Sequence, residues 1–288
     1  MSQINGGIIT YISSVYNSLT KSEKKVADAV IKDPNKTIYS SISDFADEAQ
    51  VGDTTILRFC RKIGFKSYQA FKLALAQEIS NQDNEAVSAL NVELREGDTL
   101  EELARKTLNI NVCALNETLS LLDLKEVKKA VDSIVSAKKI NFYGVGVSAI
   151  TAQDAVSKLV RIGLNAACFT DIHMQMMQAS LMSGDDVAVG ISFSGSTKDT
   201  IDVLKMAKDT GAKIISITHH ARSPITKISD IVLLHGSKEG PLQGGALSTK
   251  MSQLMVIDVL YNAIFMKLGS KAVSNKEITS KAVLEKLI

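Results

Sequence analysis

The spacing of apolar residues changes along the chain and predicts two domains of different class. Residues 1 to 80 place apolar side chains three and four positions apart, which is the period of amphipathic helices. Within this part, Thr20 and Glu23 form a capping-box signature. Residues 81 to 97 are polar and weakly periodic, which indicates a linker. Residues 98 to 288 begin with a helical lead-in and continue as short apolar runs that alternate with helical patterns.

In the second domain, five apolar runs alternate with helical stretches. The runs span residues 140 to 143, 166 to 169, 187 to 191, 214 to 217 and 231 to 234. The helical stretches span residues 147 to 162, 172 to 182, 198 to 210 and 249 to 266. Such alternation is typical of a sheet covered by helices on both faces. The predicted fold class is α + α/β, with an all-helical N-terminal domain and a three-layer α/β domain around a five-stranded, mainly parallel sheet.

Two short helices of the first domain are predicted to form a helix-turn-helix. One carries the apolar positions from residue 42 to residue 49 and begins at a capping Ser41 or Ser43. A tight turn at Val51-Gly52 separates it from a helix with apolar positions between residues 56 and 63. In a DNA-binding unit of this kind, the second helix enters the major groove.

The charge of that second helix supports contact with DNA, although the chain as a whole is nearly neutral. With 33 basic and 31 acidic residues, the net charge is +2. Between residues 53 and 72, however, Asp53 is the one acidic residue among several basic ones. These are Arg58, Arg61, Lys62, Lys66 and Lys72. A solvated helical face is the alternative explanation, but the position directly after a helix-turn-helix favours contact with DNA phosphates.

Length and composition exclude several other classes. A chain of 288 residues suits two domains. Cys60, Cys113 and Cys168 are too far apart for a metal cluster or a disulfide framework, so they are predicted to be reduced thiols. We find no targeting segment and no apolar run near the roughly 18 residues that cross a bilayer. We expect a cytoplasmic protein with no membrane partner, no metal and no cofactor.

A loop rich in hydroxyl groups follows the third predicted strand. Ser192, Ser194, Ser196 and Thr197 surround Gly195 and precede a predicted helix. The N–H groups at a helix N-terminus carry partial positive charge, hydroxyl groups add donors, and glycine lets an anion approach the backbone closely. The segment therefore predicts a phosphate-binding loop.

A second glycine turn follows the first predicted strand. Gly144 and Gly146 stand there, with Ser148 at the start of the next helix. In a parallel sheet, such loops gather at the carboxyl edge, where ligands bind at a switch in strand order. The two turns indicate one shared ligand, which we expect to be small, polar and phosphorylated.

The motifs of both halves together resemble the phosphosugar-responsive transcription regulators of the RpiR and MurR type. These join an N-terminal helix-turn-helix to a C-terminal sugar isomerase (SIS) domain, and the resemblance covers nearly the whole chain. It rests on residues 19 to 23, 42 to 46, 55 to 65 with Tyr68, Phe71 and Lys72, 144 to 148, 192 to 197, and 211 to 212 ahead of 217 to 218. Where these regulators usually place a serine before the recognition helix, this chain has Gly52, which offers no hydroxyl to the DNA backbone.

The resemblance implies roles for two sets of residues. Those expected to bind DNA are Thr54, Thr55, Arg58, Arg61, Lys62, Lys66 and Tyr68. Those expected to bind the effector are Gly144, Gly146, Ser148, His173, Ser192, Ser194, Gly195, Ser196, Thr197 and Lys250. Thr55 and Arg58 are the candidates for contact with base edges. Lys250 would supply countercharge and His173 would face the sugar, while Ser196 is expected to cap the helix.

The other histidines and a methionine cluster receive no chemical role. His219, His220 and His235 show no metal-ligand spacing and are expected in surface or loop positions. The methionines at positions 174, 176, 177 and 182 are expected to pack adaptably in the core or at an interface.

Two alternative functions remain open. Gly144-x-Gly146-x-x-Ala149 also satisfies the dinucleotide fingerprint, and Asp171 is placed to bind a ribose hydroxyl, which would make an NAD-sensing repressor. That hypothesis leaves the hydroxyl-rich loop unexplained. An aldose-ketose isomerase would use Glu239 as its base, but it would not need a basic helix-turn-helix.

The predicted function is that of a DNA-binding transcriptional regulator, a repressor of a sugar or amino-sugar catabolic operon. Its expected partners are double-stranded operator DNA and an amino-sugar or hexose 6-phosphate. One recognition helix reads only a few base pairs, so paired half-sites predict a homodimer or tetramer. No enzymatic activity is expected.

Overall fold

A computed structural model describes residues 7–82, 97–236 and 247–284. The chain divides into two units, each with its own apolar core, and the division falls between Ile110 and Asn111. Residues 83–96, most of the predicted linker, lie outside the described residues. The domain limits drawn from the sequence therefore stay a prediction.

The first unit is built from helices. They are α1 (Ile8–Val15), α2 (Lys21–Lys32), α3 (Pro34–Tyr39), α4 (Ile42–Glu48), α5 (Asp53–Lys62) and α6 (Tyr68–Gln82), followed by α7 (Leu100–Leu121), which continues into the second unit. The apolar faces of α1 to α6 meet in one core, where Phe45, Phe59 and Phe71 are almost fully buried. The rings of Phe59 and Phe71 pack edge to face, with their centroids 6.2 Å apart.

Capping residues determine where α2 and α3 begin. The predicted capping box is confirmed, because the side chains of Thr20 and Glu23 each accept a hydrogen bond from the other's backbone N–H. Asp33 ends α2, but no loop follows it. Instead Pro34 begins α3, since proline needs no N–H at the first helical position, and Asp33 Oδ1 accepts a hydrogen bond from Lys36 N at 2.8 Å.

Helices α4 and α5 form the predicted helix-turn-helix, with one correction in the turn. Ser41 caps α4. The chain reverses at Gln50, which has a left-handed φ of 53°, and Val51 N then donates to Ala46 O at 2.8 Å. Gly52 has an ordinary φ of −86° and serves as the N-cap of α5 without a side-chain hydrogen bond.

The second unit alternates strands and helices after α7 ends. The elements are α8 (Leu124–Ser136), β1 (Ile140–Tyr143), α9 (Val147–Arg161), β2 (Ala166–Cys168), α10 (Ile172–Ser180), β3 (Val187–Ile191), α11 (Lys198–Asp209), β4 (Lys213–Thr218), β5 (Ile231–Leu234), α12 (Leu247–Leu268) and α13 (Ser270–Leu284). The strands lie in the order β2-β1-β3-β4-β5, and every neighbouring pair is parallel. The predicted five-stranded sheet is confirmed, and it is wholly rather than mainly parallel.

Successive residues of each strand face opposite layers of helices. Phe142 and Val189 belong to the core shared with α8, α9 and α12. Their neighbours Tyr143 and Ala188 belong to the core shared with α10 and α11. The three-layer arrangement predicted from the sequence is therefore confirmed.

The closing helix α12 is longer and more apolar than the sequence pattern indicates. Residues Ser248–Leu268 have a mean hydropathy of 1.3, so by length and composition they also fit a membrane span. Val256 and Ile264 are fully buried in the core below the sheet, however, and Asp258 forms an ion pair with Lys158 of α9. These contacts are those of a core helix.

Close packing between β3 and α11 depends on Gly190. A Cβ atom there would lie 2.3 Å from Leu204 Cδ1 and 3.3 Å from Ile225 Cδ1, and both of these side chains are fully buried. We expect Gly190→Ala to lower the free energy of unfolding by roughly 1–3 kcal/mol, measured by urea denaturation. Gly184→Ala is the control, because its added carbon would meet nothing nearer than Gly211 O at 3.8 Å. An equal loss in both variants would contradict this explanation.

Candidate functional site

The two predicted anion-binding loops leave the sheet side by side. β1 and β3 are neighbours, with Tyr143 opposite Gly190, so the residues that follow each strand lie at the same carboxyl edge. From there the chain continues to β2 on one side and to β4 on the other. This change of strand order is where ligands bind in open parallel sheets. The first loop begins against the end of β3, since a Cβ on Gly144 would lie 3.2 Å from Ile191 O.

The loop from Ser192 to Thr197 is held in one shape by its own contacts. Ser192 is 3% exposed, and its Oγ lies 3.0 Å from Thr197 Oγ1. Gly195 has a φ of 58°, and a Cβ atom there would lie 2.2 Å from Ser223 Oγ. Only glycine satisfies both the left-handed conformation and this close approach.

Two helices begin at these loops with N-cap residues that make no side-chain capping bond. The prediction that Ser196 caps α11 is wrong. The N-cap is Thr197, whose hydroxyl faces Ser192 instead. Ser196 N donates to Ser194 Oγ at 3.2 Å within the loop. α9 begins after Gly146, which has no side chain to donate or accept. The partial positive charge of both helix N-termini is therefore available to an anion at the carboxyl edge of the sheet.

Gln175 of α10 is a site residue that the sequence analysis misses. Its side chain is fully buried, and Nε2 donates to Gly144 O at 3.1 Å and to Phe169 O at 2.7 Å. It thus ties the loop after β1 to the loop after β2, and its Oε1 has no hydrogen-bond partner among the described residues. One signal in the sequence could have revealed it. Gln175 lies one helical turn before Ala179, on the same face of α10, so it shares the buried side of that helix. The predicted His173 lies near the start of the same helix and is exposed.

The predicted residues Ser148 and Lys250 lie at the same level on neighbouring helices. Thr151 Oγ1 donates to Gln253 Oε1 at 3.0 Å, and an ion pair further along shows that α9 and α12 run in the same direction. Ser148 precedes Thr151, and Lys250 precedes Gln253, by one helical turn. Lys250 is half-buried near the start of α12, on the side of the sheet where α9 begins.

The three histidines lie in loops after β4 and β5, as expected, but two of them are not on the surface. His235 is fully buried and His220 is 9% exposed. His219 stacks on Phe193 with ring centroids 5.0 Å apart, and its Nδ1 lies 2.9 Å from His235 O. Because Phe193 belongs to the hydroxyl-rich loop, this aromatic cluster supports the loop from the side of β4 and β5.

The burial of His235 gives a pH-dependent stability. Burial lowers the pKa of this imidazole from 6.5 to about 4, so between these values the unfolded chain binds a proton that the folded chain does not. The contribution of His235 to the free energy of unfolding is complete above pH 6.5 and falls by about 3 kcal/mol as the pH approaches 4. We expect His235→Gln to flatten this fall, measured by urea denaturation at stepped pH. The exposed His173→Gln is the control, and an identical pH profile in both variants would contradict the assignment.

The alternative functions find limited support in the described residues. Asp171, the predicted ribose ligand, is the N-cap of α10, and its Oδ1 accepts a hydrogen bond from Met174 N at 3.0 Å. Its carboxylate is thus already engaged. Glu239, the predicted isomerase base, lies outside the described residues.

The outward face of α5 carries the predicted DNA-binding residues, with one correction. Thr54, Arg58 and Arg61 are exposed on this face, as is Lys66 just beyond the helix, whereas Thr55 is half-buried and Lys62 is drawn toward α2. Tyr68 is not available to DNA. It is 5% exposed, its hydroxyl donates to Thr37 O at 3.1 Å, and its ring stacks on Phe45.

Comparison with known proteins agrees with both halves of this geometry. Residues 6–82 match the model of the helix-turn-helix domain of the rpiR family, and residues 133–263 match that of the SIS domain. An HTH-type transcriptional regulator of Haemophilus influenzae is 39% identical over 99% of each chain. The HTH-type transcriptional regulator HexR of Escherichia coli is 32% identical over 95% of this chain and 93% of its own.

A solved structure matches nearly the whole chain. The Vibrio vulnificus NanR protein complexed with ManNAc-6P has a TM-score of 0.87 at 28% identity, and the match covers 98% of this chain and 99% of that one. The helix-turn-helix, the all-parallel sheet and the full-length relatives lead to one conclusion. The chain belongs to the rpiR family of helix-turn-helix transcriptional regulators that carry a SIS domain.

Proposed function

We propose that this protein represses a sugar or amino-sugar catabolic operon and that a sugar phosphate bound at the carboxyl edge of the sheet changes its affinity for operator DNA. The observation that carries this proposal is that α9 and α11 both begin at the carboxyl ends of neighbouring strands, at the switch in strand order. A single phosphate group can accept hydrogen bonds from both. V. vulnificus NanR complexed with ManNAc-6P supports an amino-sugar 6-phosphate as the first candidate.

The phosphate would be bound by hydroxyl and backbone donors from both loops. Ser192, Ser194 and Thr197 contribute from the loop after β3, and Ser148 contributes from the first turn of α9. Lys250 supplies countercharge from α12. Gln175 keeps the loop after β1 in place through its bond to the carbonyl of Gly144.

The helix-turn-helix would bind operator DNA through the exposed face of α5. Arg61 and Lys66 contact phosphates, while Thr54, Thr55 and Arg58 lie toward base edges. One such helix reads few base pairs, so a cytoplasmic homodimer or tetramer binding paired half-sites gives useful affinity.

The phosphate loop is tested by replacing both Ser192 and Ser194 with alanine. Wild-type protein should gain thermal stability with N-acetylmannosamine 6-phosphate or a related sugar 6-phosphate, by about 2.7 kcal/mol at a ligand concentration of 100 Kd. The double variant should lose this gain, because two donors to one anion are removed, and should still bind DNA. The control replaces Ser133 and Ser136 of α8, one half-buried and one exposed, whose hydroxyls donate to backbone carbonyls of their own helix.

Three results would count against the proposed effector site. One is unchanged sugar-phosphate affinity in the Ser192→Ala/Ser194→Ala variant. Another is calorimetric binding of NAD in place of any sugar phosphate. The third is turnover between aldose and ketose phosphates, which would make the protein an isomerase.

The DNA-binding face is tested by the salt dependence of operator affinity. Arg61→Ala should weaken binding to all duplexes alike and should reduce the slope of log K against log salt by about one, as expected for one lost phosphate contact. Arg105→Ala is the matched control, since this arginine lies on α7 and is ion-paired with Glu101. If both variants keep the wild-type slope, α5 does not face the phosphates.

A further inference from the structure

The carboxylate of Glu23 joins α2 to two basic side chains of the DNA-binding helix α5. Its Oε1 accepts a hydrogen bond from Arg58 Nε at 3.2 Å, and its Oε2 accepts one from Lys62 Nζ at 3.0 Å. The Glu23 side chain is 3% exposed, whereas that of Arg58 is 60% exposed. A nearly buried anion thus holds an arginine whose outer part projects into solvent.

Glu23 is fixed independently of its basic partners. Its Oε2 also accepts a hydrogen bond from Thr20 N at 2.8 Å, and its own N–H donates to Thr20 Oγ1 at 3.4 Å. Burial alone would raise the pKa of Glu23, but hydrogen bonds from Thr20 and Lys62 lower it to about 2, so the carboxylate stays ionised. This capping box requires one acceptor oxygen. The second oxygen, Oε1, accepts from Arg58, while Lys62 shares Oε2 with Thr20 N.

The contact with Arg58 constrains how that side chain can meet DNA. A guanidinium is planar, so when Glu23 holds its Nε, the outer edge on which each terminal nitrogen directs one N–H points away from that carboxylate. Within the described residues these two nitrogens have no hydrogen-bond partner. Paired N–H groups of one arginine are the donors that read O6 and N7 of guanine.

Lys62 is held in a different way. Its Nζ donates to Ser18 O at 2.7 Å as well as to Glu23, and both acceptors lie on the α2 side of α5. These two contacts hold Lys62 away from the DNA phosphates that it was predicted to bind. This removes a cation that would strengthen binding to every DNA sequence equally.

We propose that Glu23 is a positioning residue for sequence recognition: it presents the terminal nitrogens of Arg58 to a guanine in the operator and keeps Lys62 from non-specific phosphate contact. The proposal rests on the proposed function, because it requires that α5 binds DNA. It assigns to a residue outside the helix-turn-helix an effect on specificity rather than on affinity.

The test compares full-length Glu23→Gln with wild type on a site selected by the wild-type protein from random duplexes. Glutamine keeps an acceptor for Thr20 N but offers no charge to Arg58 and Lys62. We expect the preference for one guanine over the other bases to fall roughly tenfold. Affinity for random duplex should hold or rise, and the salt slope should steepen by about one as Lys62 is released. In an Arg58→Ala background, Glu23→Gln should no longer change base preference.

Thr20→Ala is the matched control for helix stability. It removes the N-cap hydroxyl of α2 and leaves Glu23 in contact with both basic residues, so base preference should stay at the wild-type level. Arg58→Lys is a second variant in case Glu23→Gln does not fold. It keeps the charge and lacks the paired donors, so it should lose the guanine preference with an unchanged salt slope.

The outcomes separate this inference from the proposed function. If Arg58→Ala or Arg58→Lys leaves every base preference intact on a selected site, or if a folded Glu23→Gln retains the guanine preference, the positioning role is overturned while DNA binding stands. If the wild-type protein selects no site and binds no duplex, the proposed function fails and this inference fails with it.

Discussion

Because all five strands of the second unit run in one direction, every helix that follows a strand begins at the same edge of the sheet. That edge collects unsatisfied N–H groups, which would be costly in a buried place without acceptors. The chain places its glycines and hydroxyls there, and it leaves the N-caps of α9 and α11 without side-chain bonds. A preference for anions thus follows from strand direction before any individual residue is considered.

Much of this arrangement could be predicted from sequence because the signals are local. The predicted apolar runs of β1, β3 and β5 coincide with the observed strands, and the predicted capping box at Thr20 and Glu23 is present. Burial of single polar residues could not be predicted in this way. His235 and Gln175 are buried by neighbours that are distant in sequence, and periodicity does not report such contacts. Tyr68 begins a helix where an aromatic ring can turn either to solvent or to the core, and the presence of Phe45 decides which.

The net charge of +2 conceals a separation of charge within the helix-turn-helix. Acidic residues, including Asp44 and Asp47, lie on α4, whereas Arg58 and Arg61 lie on α5. A polyanion attracts one helix and repels the other, so the field itself orients the unit before contact. Lys36 partly neutralises the negative charge of α4 through its 3.0 Å ion pair with Glu48.

Backbone hydrogen bonds also connect the hydroxyl-rich loop to β4 and to the segment that follows β4. Ile225 N donates to Gly195 O at 2.9 Å, and Ser192 N donates to Ile217 O at 3.1 Å. The loop is therefore ordered when the chain folds, not when an anion arrives, and binding loses little conformational entropy. Where the loop from Ser192 to Thr197 needs no rearrangement, the rate of ligand capture depends on diffusion and on the charge around the site. A regulator built in this way answers to a change in ligand concentration as quickly as the ligand can reach it.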